Sequence, residues 1–371
     1  MMSGLIRPID DELIQKMDPL SMDALIPELW LLNASKDING LISISREVLS
    51  RRSIRTFSAR ECLAVMRDLG LLLGSIKRCG VEPVDVVENL EGVLLEIGRR
   101  TDMIPRDTVH HQARWNPTGR RERLYTGDPQ ERMLILSVRL ALPQVNRAVH
   151  LCESLRVLDP VDIEFAAAAA ELVHLLGSMN DAIENVISTV PPSYFASCFR
   201  PYVEDVRVGG QRYLGPAAAH LPLGLVDLAL WAGDRAKGEY RNFIMEGRPY
   251  ARPEFRGRYD AWSSGPSILT TLEESLSRAD MERDNYALHA STDAIRNALK
   301  VLRAFRGKHL MIARKAYRSD TSDYAQGSGG GTVQLLEDIV AQTTAGAQSL
   351  TSASRSLPHD ILRANEANST D

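Results

Sequence analysis

A chain of 371 residues, 44% of them hydrophobic, is long enough to bury a large core. Its 44 Lys and Arg stand against 48 Asp and Glu, a net charge of −4, which excludes the global basic field that nucleic acid or an anionic membrane would need. A small-molecule partner is the expectation, and so is the cytoplasm: no run approaches the roughly 18 uninterrupted apolar residues of a membrane helix, and the start MMSGLIRPIDDELIQ is acidic where a secretory leader is basic then apolar.

In chain order the pattern is helical. ECLAVMRDLGLLLGSIKRCG from Glu61, VDVVENLEGVLLEIGRR from Val84 and ERMLILSVRLALPQVNRAVHLCESL from Glu131 each repeat apolar residues three or four apart. HHQARWNPTGRRERLYTGD from His110 predicts a loop, with WNPTG (115–119) as its proline-anchored turn. PVDIEFAAAAAELVHLLGSMNDAIENVISTV from Pro160 predicts a long helix opened near Asp162 and stopped by Pro191 and Pro192. Its five alanines, 166–170, allow close approach of a neighbour. VRVGGQRYLGP (206–216) predicts a second loop. From about Asp280 to Tyr317 a further helix sets Ile295, Leu299, Leu302, Phe305, His309, Ile312 and Ala316 on one face. SDTSDYAQGSGGG from Ser319 predicts a third loop, leading straight into the helix TVQLLEDIVAQ, and the tail beyond Leu357 is polar. Strand alternation is nearly absent and no internal repeat divides the chain. The four cysteines, Cys62, Cys79, Cys152 and Cys198, form no CxxC and read as reduced, buried thiols.

The chemistry-bearing residues are sparse. The histidines show no HxxxH, HExxH or 2-His-1-carboxylate spacing, and no CxxCH is present, so local signatures of zinc, non-haem iron and covalent haem are missing. A non-covalent haem needs only one axial ligand on a helix face and an apolar slot, and leaves little trace in sequence. His309 lies on its helix's apolar stripe, with Arg303, Arg306, Lys308, Arg314 and Lys315 on the other faces. Periodicity alone leaves it a core histidine or an iron ligand. His174 on the alanine-rich helix and His220 after GPAAA are open in the same way. GSGGG (327–331) is a phosphate cradle, a flexible lid, a close backbone approach to a carboxylate, or a plain turn; it lacks the P-loop lysine. VRVGGQRYLGP is no GxGxxG fingerprint, and no GxSxG elbow exists.

RAFRGKHLMIARKAY (303–317), AQGSGGG (325–331) and SYFASCFRPYVEDVRVGGQRYLGPAAAH (193–220) together resemble the monodechloroaminopyrrolnitrin synthase family of pyrrolnitrin biosynthesis. The resemblance continues through NASKDINGLISISREVL from Asn33, MRDLGLLLGSIKRCGVEPVDVVENLEGVLLEIGR from Met66 and WNPTGRRERLYTG from Trp115, and so covers nearly the whole chain. More distantly, the order of segments is similar to indoleamine 2,3-dioxygenase. The resemblance implies an all-α, dioxygenase-like bundle enclosing a b-type haem. Residues 1–130 would cover the pocket in part, 131–357 would form the haem-binding core, and 358–371 a polar tail.

Residue by residue, the resemblance implies that His309 is the axial ligand of the haem iron. Gly215, Pro216, Ala217 and Ala218, in the small-residue stretch ending at Ala219, match positions over the distal haem face. Ser328, flanked by Gly327 and Gly329, matches the hydroxyl that binds a substrate carboxylate, and Tyr317 a tyrosine placed similarly. Phe195 and Arg200 fall where the dioxygenases keep an aromatic wall and a carboxylate-pairing arginine. No catalytic group is implied beyond the iron. His220 departs from the pattern, since the family has no histidine there. The implied activity is a haem-dependent reaction of tryptophan, a chlorotryptophan or a related amino acid with dioxygen and an electron donor, most like the indole-to-phenylpyrrole rearrangement. The alternatives are dioxygenation of tryptophan to N-formylkynurenine, or a haem carrier or sensor without turnover.

Overall fold

The computed structural model describes residues 9–278, 286–317 and 324–355. The first turn of the helix expected from Asp280, the opening of the loop expected from Ser319 and the polar tail lie outside the described residues, as do residues 1–8. Within them the chain is all-α apart from one two-stranded sheet.

Local chemistry sets most of the helix ends. Helix Ala59–Lys77 opens on a capping box, in which the Ser58 hydroxyl accepts the Glu61 amide while the Glu61 carboxylate accepts the Ser58 amide. Every residue from Cys62 to Ile76 is then buried, so the helix runs through a core and not along its surface. The single helix expected from Val84 is instead two, Pro83–Val86 and Leu90–Thr101. Val87 is extended and Asn89 is left-handed at φ 65°, a conformation asparagine tolerates and a helix does not.

Four long helices form a layered bundle in the order Pro129–Leu155, Ile163–Thr189, Tyr286–Ala316 and Val333–Arg355, each packed on the next. Ile163–Thr189 begins at its expected place, although Asp162 makes no capping hydrogen bond, and it ends one residue before Val190 and Pro191 turn extended. Ala166 and Ala169 face inward, which lets the neighbouring helices come close.

The 206–216 passage is not a plain loop. Val206–Val208 pairs antiparallel with Gln211–Tyr213, with Val206 opposite Tyr213. Gly209 and Gly210 both have positive φ, 59° and 75°, the requirement of a tight hairpin turn whose twist matches its strands.

Two large apolar cores result. One, with Leu142, Leu172, Leu272 and Leu299, fills the helical bundle; the other, with Leu29, Leu41, Leu69 and Leu94, fills the N-terminal half. The second core also takes in Phe199, Tyr202, Val203, Val206 and Val208. The segment that leaves Ile163–Thr189 therefore crosses over to pack on the N-terminal helices. Arg106 ties it there, donating to the carbonyls of Glu204 and Tyr213 at 3.0 and 3.3 Å.

All four cysteines are free, but only Cys62 and Cys152 are buried as expected. Cys79 is half-buried and Cys198 is exposed, because the wide turn Phe195–Phe199 spends its inward positions on Ala196 and Phe199. No helix among the described residues is long and apolar enough to cross a membrane.

Candidate functional site

The stripe that carries His309 is not uniformly closed. Ile295, Leu299 and Leu302 are buried, Phe305, His309 and Ile312 are only half-buried, and Ala316 is buried again. Along this stripe the helix Tyr286–Ala316 is thus buried at both ends and less tightly covered around His309. The imidazole stacks on Phe305, rings 6.0 Å apart at 25°, and neither nitrogen has a hydrogen-bond partner among the described residues. Burial, reinforced by the Arg306 charge, pushes its pKa down to about 4, so the ring is held as the neutral base that a metal takes.

Arg306 does not lie with the other cations on the outer faces, where the sequence placed it. It is buried, bonded to Asp227 and, at 2.5 Å, to the Thr343 hydroxyl. Asp227 also accepts from Trp231 Nε1 at 3.0 Å and from the Tyr240 hydroxyl. The carboxylate offsets the cost of burying the Arg306 guanidinium, and the pair ties this part of the helix to Asp227. Lys308 and Arg314 are occupied too, by Glu184 and Glu337.

A second surface comes from the 215–220 stretch. Gly215, Pro216, Ala217 and His220 are buried, whereas Ala218 and Ala219 between them are exposed. Gly215 lies so close to the Val203 carbonyl that a Cβ would stand 1.8 Å from its oxygen, so only glycine fits. Onto this stretch folds the glycine loop. Gly327 donates to the Gly331 carbonyl at 2.9 Å and Gly330, at φ 82°, to that of Gly327 at 3.0 Å. Thr332 then caps the helix Val333–Arg355 through the Leu335 amide, 3.1 Å from its hydroxyl. A Cβ on Gly329 would lie 2.7 Å from Ala219 Cβ, 3.0 Å from Ala217 Cβ and 3.5 Å from His220 Nε2. Ser328 is buried, and its hydroxyl has no hydrogen-bond partner among the described residues.

The third surface joins these through aromatic contacts. Phe195 meets Tyr317 edge-on, rings 6.3 Å apart at 89°, and the Tyr317 hydroxyl lies 3.6 Å from where a Cβ on Gly327 would stand. Burial, against the opposing charge of Arg200, pushes the Tyr317 phenol up to about 12, so it remains a donor. Arg200 is buried with one long bond, 3.4 Å, to the Val203 carbonyl; its Nε has no partner and no carboxylate pairs with it among the described residues. Its guanidinium lies over the Tyr324 ring at 4.2 Å, and Tyr324 donates to Glu204.

Phe195, Arg200, Tyr317, Gly327, Ser328 and Gly329 therefore join Ala217, Ala219 and His220 in one continuous set. His309 stands two turns before Tyr317 on the same helix, roughly 12 Å along its axis. His174 is exposed and plays no part. The 115–119 turn is structural: Trp115 Nε1 donates to Asp11 at 2.8 Å, and Asn116 clamps the loop through Gln112 and Arg123. Sequence reasoning missed Tyr324 and Tyr250, the latter stacked on His220, since loop aromatics carry no periodicity that could mark them.

These residues fit a haem. Among the described residues a neutral imidazole without a hydrogen-bond partner stands in the half-buried part of an apolar stripe, alanine methyls are exposed in an otherwise buried stretch, and a desolvated guanidinium lacks a counter-ion. A flat apolar group with a metal at its centre uses the first two, and an acidic ligand beside it the third.

A family model described as monodechloroaminopyrrolnitrin synthase PrnB matches residues 23–365, a span that contains every residue of this site.

Proposed function

The chain belongs to the monodechloroaminopyrrolnitrin synthase family, haem-dependent enzymes of pyrrolnitrin biosynthesis that act on a tryptophan-derived substrate with oxygen, and on that premise we propose how its residues share the task. His309 would hold the iron of a b-type haem, with Phe305 and Ile312 of its stripe beside it. Gly215, Pro216, Ala217 and Ala218 would line the substrate side, where their small side chains leave room for substrate and dioxygen. Of residues 1–130, the described part from residue 9 onward packs on the bundle and covers part of the pocket, and an external donor supplies electrons. The free thiols accord with a reaction in the reducing cytoplasm.

The haem, once bound, supplies the oxygen chemistry, and the chain supplies placement. The substrate, tryptophan, a chlorotryptophan or a related amino acid, offers a carboxylate to the Ser328 hydroxyl, the amide of Gly329, the Tyr317 phenol and the Arg200 guanidinium. Gly327 shapes the loop and does not donate, because its N–H is already bonded to Gly331. Phe195 flanks the ring. The observation that carries this reading is the buried Arg200, with no carboxylate partner among the described residues, near a loop whose Ser328 hydroxyl has no hydrogen-bond partner among them either. Such a guanidinium is costly to bury alone and becomes favourable when an anion arrives.

The test is the product formed from L-tryptophan and 7-chloro-L-tryptophan by haem-loaded protein with reductant and air. Loss of the carboxyl group in the product mass is expected. A gain of two oxygen atoms with the carboxyl retained would contradict the rearrangement.

A further inference from the structure

We propose that His220 is a further substrate-positioning residue, donating a hydrogen bond from Nε2 to the carboxylate of the bound amino acid. The proposal rests on the reading of the glycine loop as the carboxylate site and adds to it a donor from the facing strand of chain.

Three observations place the ring. Its plane is fixed by Tyr250, stacked at 4.1 Å and 17°, whose hydroxyl is itself held by the Leu214 amide at 2.8 Å. Its backbone is fixed in a tight turn, the His220 amide donating to the Ala217 carbonyl at 3.0 Å. Its Nε2 edge faces the glycine loop, 3.5 Å from the point a Cβ on Gly329 would occupy, one residue along the chain from Ser328, whose hydroxyl has no hydrogen-bond partner among the described residues.

The two ring nitrogens are not equivalent. Among the described residues Nδ1 is sealed in protein with no partner, while Nε2 has neither a protein partner nor a sealed surface. A proton on Nδ1 would be a buried, unsatisfied N–H; on Nε2 it points into space a ligand can fill. The neutral ring with its proton on Nε2 is therefore the form that the surroundings select. Burial and the nearby Arg106 charge, which push its pKa down to about 3, keep it a neutral donor at any working pH. A carboxylate has about four lone-pair positions, so Ser328 on one oxygen leaves acceptors for Nε2 on the other.

The experiment is calorimetric titration of haem-loaded protein with L-tryptophan and with tryptamine, which lacks the carboxylate. His220→Phe keeps a ring to stack on Tyr250 but no donor; His220→Gln keeps an N–H donor at similar reach. L-Tryptophan binding is expected to weaken about tenfold or more in His220→Phe, the effect of one hydrogen bond to a charged group, with tryptamine unchanged and His220→Gln close to the parent. Unchanged L-tryptophan affinity in His220→Phe, or an equal loss for both ligands, would overturn the proposal. Ser328→Ala separates the two levels. If it selectively weakens L-tryptophan while His220→Phe does not, only the His220 proposal fails; if neither variant discriminates between the ligands, the carboxylate site itself is wrong.

Discussion

Replacing Gly329 by alanine puts a methyl group where the facing stretch leaves no space for one. Gly329 does not have a positive φ, so the backbone would accept a side chain and the obstacle is packing alone. The added carbon would stand 2.7 Å from Ala219 Cβ and 3.0 Å from Ala217 Cβ, when carbon atoms pack best at about 3.5–4.0 Å. The loop must move by about 1 Å. Overpacking of this kind costs about 1–3 kcal/mol, offset in part by the ~0.4–1 kcal/mol that alanine gains by stiffening the unfolded chain. The same shift displaces the Ser328 hydroxyl, and losing its hydrogen bond to a carboxylate weakens binding by ~1.5–3 kcal/mol, tenfold or more. Ala219→Gly removes the closer of the two obstructing methyls. In the double variant, stability by urea denaturation and L-tryptophan affinity by calorimetry should recover in part, with a coupling of about 0.5–3 kcal/mol. An unaffected single variant, or strictly additive effects in the double, would refute the close contact between loop and stretch.

Asp227→Ala leaves Arg306 buried without its carboxylate and should cost about 3–5 kcal/mol of stability, read from denaturation midpoints. Arg200→Met removes a buried cation that has no counter-ion among the described residues, so the ligand-free protein should be no less stable while L-tryptophan affinity falls tenfold or more; a fall in stability without a fall in affinity would show Arg200 to be structural. Stability should also depend on pH through His110, which burial, above all, pushes down to about 3. Its folded pKa lies below the ordinary value of 6.5, so between those two values the unfolded chain binds more protons. Its contribution is complete above about pH 6.5 and is lost as pH falls toward 3, with a limiting slope of about 1.4 kcal/mol per pH unit. Unfolding midpoints at pH 7 and pH 5 should move closer together in His110→Phe.

His309 was legible as a histidine on an apolar stripe, and the glycine loop as a phosphate cradle, a lid, a close backbone approach to a carboxylate or a plain turn, because helical period and glycine content are local and do not show what the loop faces. The opening of that stripe at Phe305, His309 and Ile312 was not, since the burial of each depends on which helices stop short of it. Arg306 misled because a charge beside a stripe normally points outward; its partner Asp227 is 79 residues away. Val206–Val208 and Gln211–Tyr213 are too short to show alternation, although Gly209-Gly210 was a hairpin signal in plain view. Tyr250 and His220 meet across thirty positions by stacking, which no spacing rule marks.

Haem binding depends above all on His309, and haem titration of a His309→Ala variant tests that role most directly. The parent protein should take up one haem with a Soret band typical of histidine ligation. The variant should lose haem affinity or show a shifted band, and added imidazole should restore the parent spectrum. A His309→Ala protein that keeps full haem with an unchanged spectrum would contradict the assignment of the axial ligand.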